Sequence, residues 1–162
     1  MIVVSDTSPI SGLIPINRLE LLKDIYKQVF IPQVVYDELL VLETFGFDLS
    51  ELTTSSWINV VKASNQSFID ELEKELDLGE SEAISLAIEL NAETLLIDEK
   101  RGRTIAERLG IEIIGLLGVL LEAKELSLIS SVKPLLDNLI DQGNFRVSHS
   151  LYLKILKAVN EV

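Results

Sequence analysis

Two aspartates directly follow apolar runs that are typical of buried strands. Asp6 comes after the β-branched run Ile2–Ser5, and Asp98 comes after Leu95–Ile97. Loops at the carboxyl ends of parallel strands meet at one edge of the sheet, so both carboxylates are expected there. Carboxylates gathered in one place repel each other, and they either share protons or bind a hard cation such as Mg²⁺ or Mn²⁺. Taken singly, each aspartate could instead be a helix cap.

Three glutamates could join this group. Glu38 lies in a helical pattern that starts at Pro32, and Glu80 and Glu82 open a helix in the segment DLGESEAI. The alternative for Glu38 is an ordinary exposed residue of a helix. The alternative for Glu80 and Glu82 is favourable placement at a helix N-terminus, where acids complement the helix dipole.

Hydroxyl and basic side chains adjoin the two aspartates. Thr7 and Ser8 follow Asp6, and they could orient a water molecule or a phosphate oxygen or could cap a helix. Three basic residues follow Asp98, and they could contact the backbone of a phosphate-containing substrate or could form a solvated helix face. These basic residues are Lys100, Arg101 and Arg103.

The near absence of sulfur and imidazole ligands limits the chemistry to oxygen. The chain has no cysteine, which excludes thiolate metal sites and cysteine nucleophiles, and its one histidine argues against a histidine-rich zinc site. We interpret that histidine, His149, as a surface residue at the start of a helix. Trp57 and Phe68 could stack on nucleobases, but packing in the core or a loop is the favoured interpretation.

Two other enzyme classes lack their motifs. No glycine-rich phosphate loop of the GxxxxGK[ST] or GxGxxG type is present. The segment DTS after the first strand also lacks the second aspartate that a phosphatase of the haloacid dehalogenase sort uses as its acid and base.

Apolar periodicity predicts strands that alternate with helices. This alternation is typical of βαβ units and of an α/β fold with a mostly parallel sheet and helices on both faces. Residues 44–56 are predicted to form a polar, glycine-containing excursion, that is, a segment outside the strands and helices. The predicted strands are 2–5, 29–31, 58–61, 95–97 and 111–114, and the predicted helices are 13–25, 32–42, 65–76, 79–91, 100–109, 116–126, 132–140 and 148–159.

The chain is predicted to form one domain over residues 1–162, with a helical C-terminal extension from about 116 to 162. A length of 162 residues and a hydrophobic content of 48% suit a single well-buried core. No apolar run is long enough to cross a bilayer, and the N-terminus MIVVSDTSPI does not resemble a signal peptide. We therefore expect a cytoplasmic protein that makes no membrane contact.

Four segments in order resemble the PIN-like family. They are VVSDTSPI, VFIPQVVYDELL, LDLGESEAISLAIELNAETLLIDEKRGR and IIGLLGVLLEAKE, and the resemblance spans about Ile2 to Tyr152. More narrowly, the chain is similar to a branch of predicted nucleic-acid-binding proteins that contain a PIN domain and are related to toxins of toxin–antitoxin pairs. The resemblance implies a three-layer fold with a central parallel sheet of five strands.

The resemblance also implies a Mg²⁺- or Mn²⁺-dependent ribonuclease with a cluster of acids as its site. RNA would be the substrate, and a small antitoxin protein and a second copy of the chain would be possible partners. The alternative is a non-catalytic module of the same fold that binds nucleic acid or protein. The implied catalytic acids and metal ligands are Asp6, Glu38, Glu80 and Asp98, with Glu82 and Glu99 as alternative ligands.

The strong negative charge affects both hypotheses, the ribonuclease and the non-catalytic module. With 14 basic and 26 acidic residues the formal net charge is −12, which argues against binding by bulk attraction to phosphate and favours the non-catalytic module. If a metal ion is held among the clustered acids, however, it inverts the sign that a phosphate meets locally. The sequence therefore predicts that any binding of RNA depends on the metal.

Overall fold

The computed structural model, which describes residues 1–162, contains one parallel sheet of five strands. The strands are β1 (Val3–Ser5), β2 (Val29–Pro32), β3 (Ile58–Val61), β4 (Thr94–Leu96) and β5 (Glu112–Ile114). Their spatial order is β3-β2-β1-β4-β5. The chain builds outward from β1 to one edge and then returns to the other side of β1, so the topological switch point lies between β1 and β4. Ligand sites of open α/β sheets lie outside the carboxyl ends of the strands at such a point.

Ten α-helices and one short 3₁₀ helix surround the sheet. None of them combines the length and the apolar composition that a membrane-spanning helix requires. The α-helices are α1 (Thr7–Leu13), α2 (Glu20–Tyr26), α3 (Gln33–Leu40), α4 (Ser50–Thr54), α5 (Gln66–Leu72), α6 (Leu78–Glu89), α7 (Lys100–Arg108), α8 (Leu116–Glu125), α9 (Lys133–Asp141) and α10 (His149–Ala158), and the 3₁₀ helix is Val41–Phe45.

The sheet separates two hydrophobic cores. Successive residues of a strand point to opposite faces, so Val3 joins a core of 24 residues and Val4 joins a core of 12. The larger core includes residues of α1, α2, α3, α8 and α9, and the smaller one includes residues of α5, α6 and α7. Both faces are therefore covered, which is the three-layer arrangement that the strand–helix alternation predicts.

The predicted strands are confirmed to within a residue at each end, and the helices differ from the prediction mainly at three places. Only the second half of the helix predicted over 13–25 is helical, as part of α2, because α1 ends at Leu13 and Pro15 and a left-handed Asn17 (φ 58°) lie between the two helices. The helix predicted over 65–76 ends at Leu72. The excursion predicted over 44–56 contains α4, whose Leu52 is buried in the larger core. Leu52 is the one apolar residue within α4, and a single apolar residue is too weak a signal to predict a helix.

Glu161 ties the C-terminal residues to α8 and α9. Its carboxylate accepts hydrogen bonds from Lys124 Nζ and from the backbone N–H groups of Val132 and Lys133, each at 2.8 Å. It thus satisfies free N–H groups at the start of α9 in place of a local capping side chain.

Glu161→Gln is expected to lower the free energy of unfolding by about 1 to 2 kcal/mol, because charge-assisted hydrogen bonds at a helix start are lost. Urea unfolding at neutral pH measures the difference. Glu125→Gln, at an exposed position of α8, is the matched control and is expected to have no effect. Equal stability of the two variants would contradict the anchoring role of Glu161.

Candidate active site

A cleft of about 480 Å³ opens beside the carboxyl ends of β1 and β4, at the topological switch point. Eleven residues line it, and only one of them is hydrophobic. We call it the acidic cleft because six of its residues are carboxylates. Its lining consists of Asp6, Glu38, Glu75, Asp77, Glu80 and Glu99, together with Thr7, Ser8, Ser11, Leu76 and Arg101.

Asp6 lies between the two central strands. Its backbone N–H donates to the Leu96 carbonyl of β4 at 2.9 Å, and the residue is only 5% exposed. It occupies the N-cap position of α1, but its side chain makes no capping hydrogen bond. The capping alternative is therefore wrong for Asp6, and its carboxylate faces the acidic cleft.

Glu80 both caps a helix and presents a free oxygen. It forms a capping box with Asp77 at the start of α6, in which Asp77 Oδ1 accepts from the Glu80 N–H (2.8 Å) and Glu80 Oε1 accepts from the Asp77 N–H (3.2 Å). Glu80 is 6% exposed, and its second oxygen, Oε2, is buried without any hydrogen-bond partner. A buried carboxylate oxygen without a donor is energetically unfavourable, so this atom invites a proton or a cation.

Glu38 reaches the cleft from α3 and lies against the first turn of α6. Thr7 Oγ1 donates to Glu38 Oε2 at 2.5 Å. A Cβ atom at position 79 would lie 2.8 Å from Glu38 Oε1, so only glycine leaves room for the carboxylate there. Gly79 therefore lets α3 and α6 bring Glu38 close to Glu80.

Burial and mutual repulsion disfavour the charged forms of two of these acids. The pKa of Asp6 is raised to about 7, mainly by burial; the Thr7 N–H opposes this shift, and the carboxylates of Glu80, Asp77 and Glu38 add to it. Burial also raises the pKa of Glu80 to about 7, against the effect of the Asp77 N–H. Two acids that titrate near neutrality in one cleft are a common property of functional sites.

Asp98 and Glu99 have separate places. Asp98 Oδ1 accepts from the Leu116 N–H at the start of α8 (2.7 Å), and Ser8 Oγ donates to Asp98 Oδ2 (3.3 Å). Burial raises the pKa of Asp98, while these two donors and Arg103 lower it. Asp98 borders two neighbouring cavities, whereas Glu99 lines the acidic cleft itself.

Glu82 does not line the acidic cleft. Burial raises its pKa, the charge of Glu73 adds to that effect and Lys62 opposes it, so its carboxylate lies among other partners. Sequence reasoning missed two acids that do line the cleft, Glu75 and Asp77. The spacing of Asp77 and Glu80 is that of a capping box and could have revealed Asp77, but no local pattern marks Glu75.

The hydroxyl and basic residues divide between the cleft and its surroundings. The Ser8 hydroxyl donates a hydrogen bond to Asp98 and the Thr7 hydroxyl donates one to Glu38, so both hydroxyls orient carboxylates. Arg101 lines the acidic cleft and donates to the Glu75 carbonyl at 3.2 Å. The outer face of α7 next to it carries Lys100, Arg101 and Arg108, which line a neighbouring hollow. Arg103 points to the other side of α7, where its Nη1 donates to the Ile97 carbonyl at 3.1 Å.

The donor set fits a hard divalent cation, although no three His, Asp or Glu side chains converge closely enough to form a ready-made cage. Mg²⁺ usually takes one or two carboxylates and completes its shell with water and substrate phosphate, so a full protein cage is not required. The partnerless oxygen of Glu80 beside buried Asp6 is the feature that such an ion would satisfy. Asp6, Glu38 and Glu80 are the residues that could hold it.

A family model described as a PIN domain matches residues 2–161. The chain belongs to the PIN domain family. Among solved structures, it is similar to a PilT N-terminus domain protein from the hyperthermophilic archaeon Sulfolobus solfataricus P2, with 20% identity, a TM-score of 0.48 and coverage of 92% of this chain and 100% of that chain. No curated protein matches it. The family model confirms the predicted family, and the five-stranded parallel sheet with helices on both faces confirms the predicted α/β fold class.

In the metal-free PIN domain, Asp6→Asn is expected to raise the free energy of unfolding at about pH 8 by roughly 1 to 3 kcal/mol, because a buried charge is removed. The pKa of Asp6 rises on folding from its ordinary 3.8 to about 7, so the folded state binds more protons between these values. Wild-type stability therefore falls as the pH rises through this range, and the advantage of the variant grows with it.

Urea unfolding in EDTA over this pH range measures the effect. Asp141→Asn, at an exposed position of α9, is the control and should give no such gain. A variant that is less stable than wild type at high pH would show that the Asp6 carboxylate stabilises the fold.

Proposed function

We propose that this PIN domain is a Mg²⁺- or Mn²⁺-dependent ribonuclease whose reaction takes place in the acidic cleft. The single observation that carries the proposal is the buried carboxylate of Glu80. This residue is only 6% exposed, one of its oxygens has no hydrogen-bond partner, and it lines the same cleft as buried Asp6. A fold that needed these acids only for stability would supply each of them with donors. Membership of the PIN domain family supports nuclease chemistry, and RNA is the substrate that the resemblance implies.

Asp6, Glu38 and Glu80 would hold the ion, with Glu99 on the same wall. When bound, a divalent ion lowers the pKa of a water molecule and stabilises charge on the phosphodiester. The residues of the chain have distinct tasks around it. Asp6 and Glu80, whose pKa values are raised to about 7, would give up any bound proton when such an ion binds, and Thr7 holds Glu38 by a hydrogen bond of 2.5 Å.

Basic residues would position the RNA backbone. Arg101 lies on the wall of the acidic cleft, and the face of α7 that it shares with Lys100 and Arg108 leads away from the cleft. These three cations stand in a chain of net charge −12, so they make this side the favoured approach for a polyanion. Without the ion the six carboxylates repel phosphate, and affinity for RNA should then be weak.

Asp6→Asn and Glu80→Gln are expected to abolish Mn²⁺-dependent cleavage of single-stranded RNA, because each removes a charged oxygen donor from the cleft. Isothermal titration of Mn²⁺ into each variant should show weaker binding than in wild type. The pair Glu99→Gln and Glu82→Gln is matched in chemistry, and only Glu99 lines the cleft. We expect the Glu99 variant to lose roughly tenfold or more in rate and the Glu82 variant to retain its rate.

A wild-type chain that binds no Mn²⁺ in calorimetry would overturn the proposal. Metal and RNA binding without cleavage would favour the non-catalytic module, which the net charge of −12 also favours. Equal losses in the Glu99 and Glu82 variants would show that the cleft geometry does not select the ligands.

Gly79→Ala is expected to lower the cleavage rate about tenfold or more while leaving stability unchanged or slightly higher, because the new methyl group displaces Glu38 and alanine favours a helix. The methyl carbon would lie 2.8 Å from Glu38 Oε1, and this carboxylate is the movable end of its side chain. Rate assays and urea unfolding measure the two effects separately.

The same substitution in a Glu38→Gln background tests the cause. If Gly79 acts by positioning Glu38, the two rate losses are not additive. Full additivity would assign the effect of Gly79→Ala to another part of the cleft.

A further inference from the structure

A second cavity, of about 660 Å³, lies between β5, α8 and the segment that leads into α10. We call it the apolar groove. Just over half of the residues that line it are hydrophobic, and two arginines and two carboxylates, Asp98 and Glu99, also border it. Its size is in the range of pockets that hold small organic molecules. The residues that matter here are Leu117, Leu121, Phe145 and Ile155 on the apolar walls, with Arg103 and Arg146.

The apolar groove adjoins the acidic cleft. Glu99 borders both cavities. A third hollow of about 410 Å³ shares Ser8 and Ser11 with the acidic cleft, and it shares Asp98 and Phe145 with the apolar groove. An RNA chain that leaves the acidic cleft through this hollow therefore reaches Phe145.

Phe145 borders both the hollow and the apolar groove, and its backbone is held by a hydrogen bond. It lies in the irregular segment between α9 and α10, its N–H donates to the Leu139 carbonyl at 3.1 Å, and its side chain packs against the larger core while remaining partly exposed. A partly exposed ring held in this way is suited to stacking on a nucleobase.

Arg146 supplies the positive charge that such a ligand needs. Arg103 donates to the Ile97 carbonyl and lies beside the Asp98 carboxylate, which borders the groove together with Glu99, whereas Arg146 is exposed and takes part in no ion pair. A partly exposed ring next to an unpaired guanidinium group complements a planar apolar group attached to a phosphate. Single-stranded nucleic acid offers that combination at every nucleotide, which an apolar peptide or an acyl chain does not.

We infer that the apolar groove is a base-binding subsite for single-stranded RNA, with one base stacked on Phe145 and the adjoining phosphate beside Arg146. The inference rests on the proposed function, because it takes the RNA that enters the acidic cleft as the occupant. The subsite would give sequence preference or register to a site whose acids contact only the phosphodiester.

Equilibrium binding of a short fluorescein-labelled single-stranded RNA in Ca²⁺ tests the inference independently of cleavage. Phe145→Ala is expected to weaken binding about fivefold or more, the lower end of the effect of losing one base–aromatic stack. Phe145→Leu, which keeps apolar volume but has no ring, should weaken it similarly if the ring is what binds. Arg146→Gln should weaken binding of every sequence.

A series of the same RNA, each member with one abasic ribose, locates the stacked base. At one position the missing base should weaken wild-type binding, and Phe145→Ala should add no further loss there. Phe45→Ala, at an exposed ring on the 3₁₀ helix, and Lys62→Ala, at an exposed cation next to β3, are the controls and should bind like wild type.

Unchanged affinity in the Phe145 and Arg146 variants would overturn the inference, as would additive losses at every abasic position. A self-association in sedimentation velocity that Phe145→Ala abolishes, with RNA binding unchanged, would show instead that the apolar groove holds a second copy of the chain. If wild type fails to cleave in Mn²⁺ but shows the Phe145-dependent binding, the proposed function fails and the subsite stands. If wild type cleaves and Phe145→Ala leaves both KM and Kd unchanged, the subsite alone fails.

Discussion

The burial of Asp6 and Glu80 side by side is the constraint on which the rest of the site depends. Desolvation holds the pKa of each near 7, and one oxygen of Glu80 has no donor. The fold compensates only in part, through the N–H of Asp77 and the positive end of α6. What remains is a cleft of six carboxylates, of which Asp6 and Glu80 have a pKa near 7. A divalent cation would balance their charge and would also occupy the vacant acceptor.

Close approach of helices is the device that brings the acids together. In three places a glycine on α6, on α7 or just before α8 lies against a carboxylate, at a distance where a Cβ atom would be 2.8 to 3.0 Å from a carboxylate oxygen. Glycine thus removes the one atom that would hold each acid away from its neighbours. The pairs are Gly79 with Glu38, Gly102 with Glu80 and Gly115 with Asp98.

Charge and apolar surface are distributed differently on the two sides of α7. Its outer face carries Lys100, Arg101 and Arg108 beside the acidic cleft, and its other side sends Arg103 towards the apolar groove. Four basic residues thus lie on α7, around the clustered carboxylates. This arrangement would make a net charge of −12 compatible with the proposed phosphate ligand, since approach and neutralisation are local properties.

The sequence by itself determined the parallel sheet and the positions of its strands, because hydrophobic runs and their spacing are local signals. It also placed Asp6 and Glu80 at the right ends of their elements. It did not decide whether Asp98 or Glu99 enters the site, because a shift of one residue at a strand end determines which of the two side chains faces the cleft. Only the tertiary structure put Glu99 in the cleft, tethered Asp98 to α8 and added Glu75, since those outcomes depend on how helices far apart in the chain pack against one edge of the sheet.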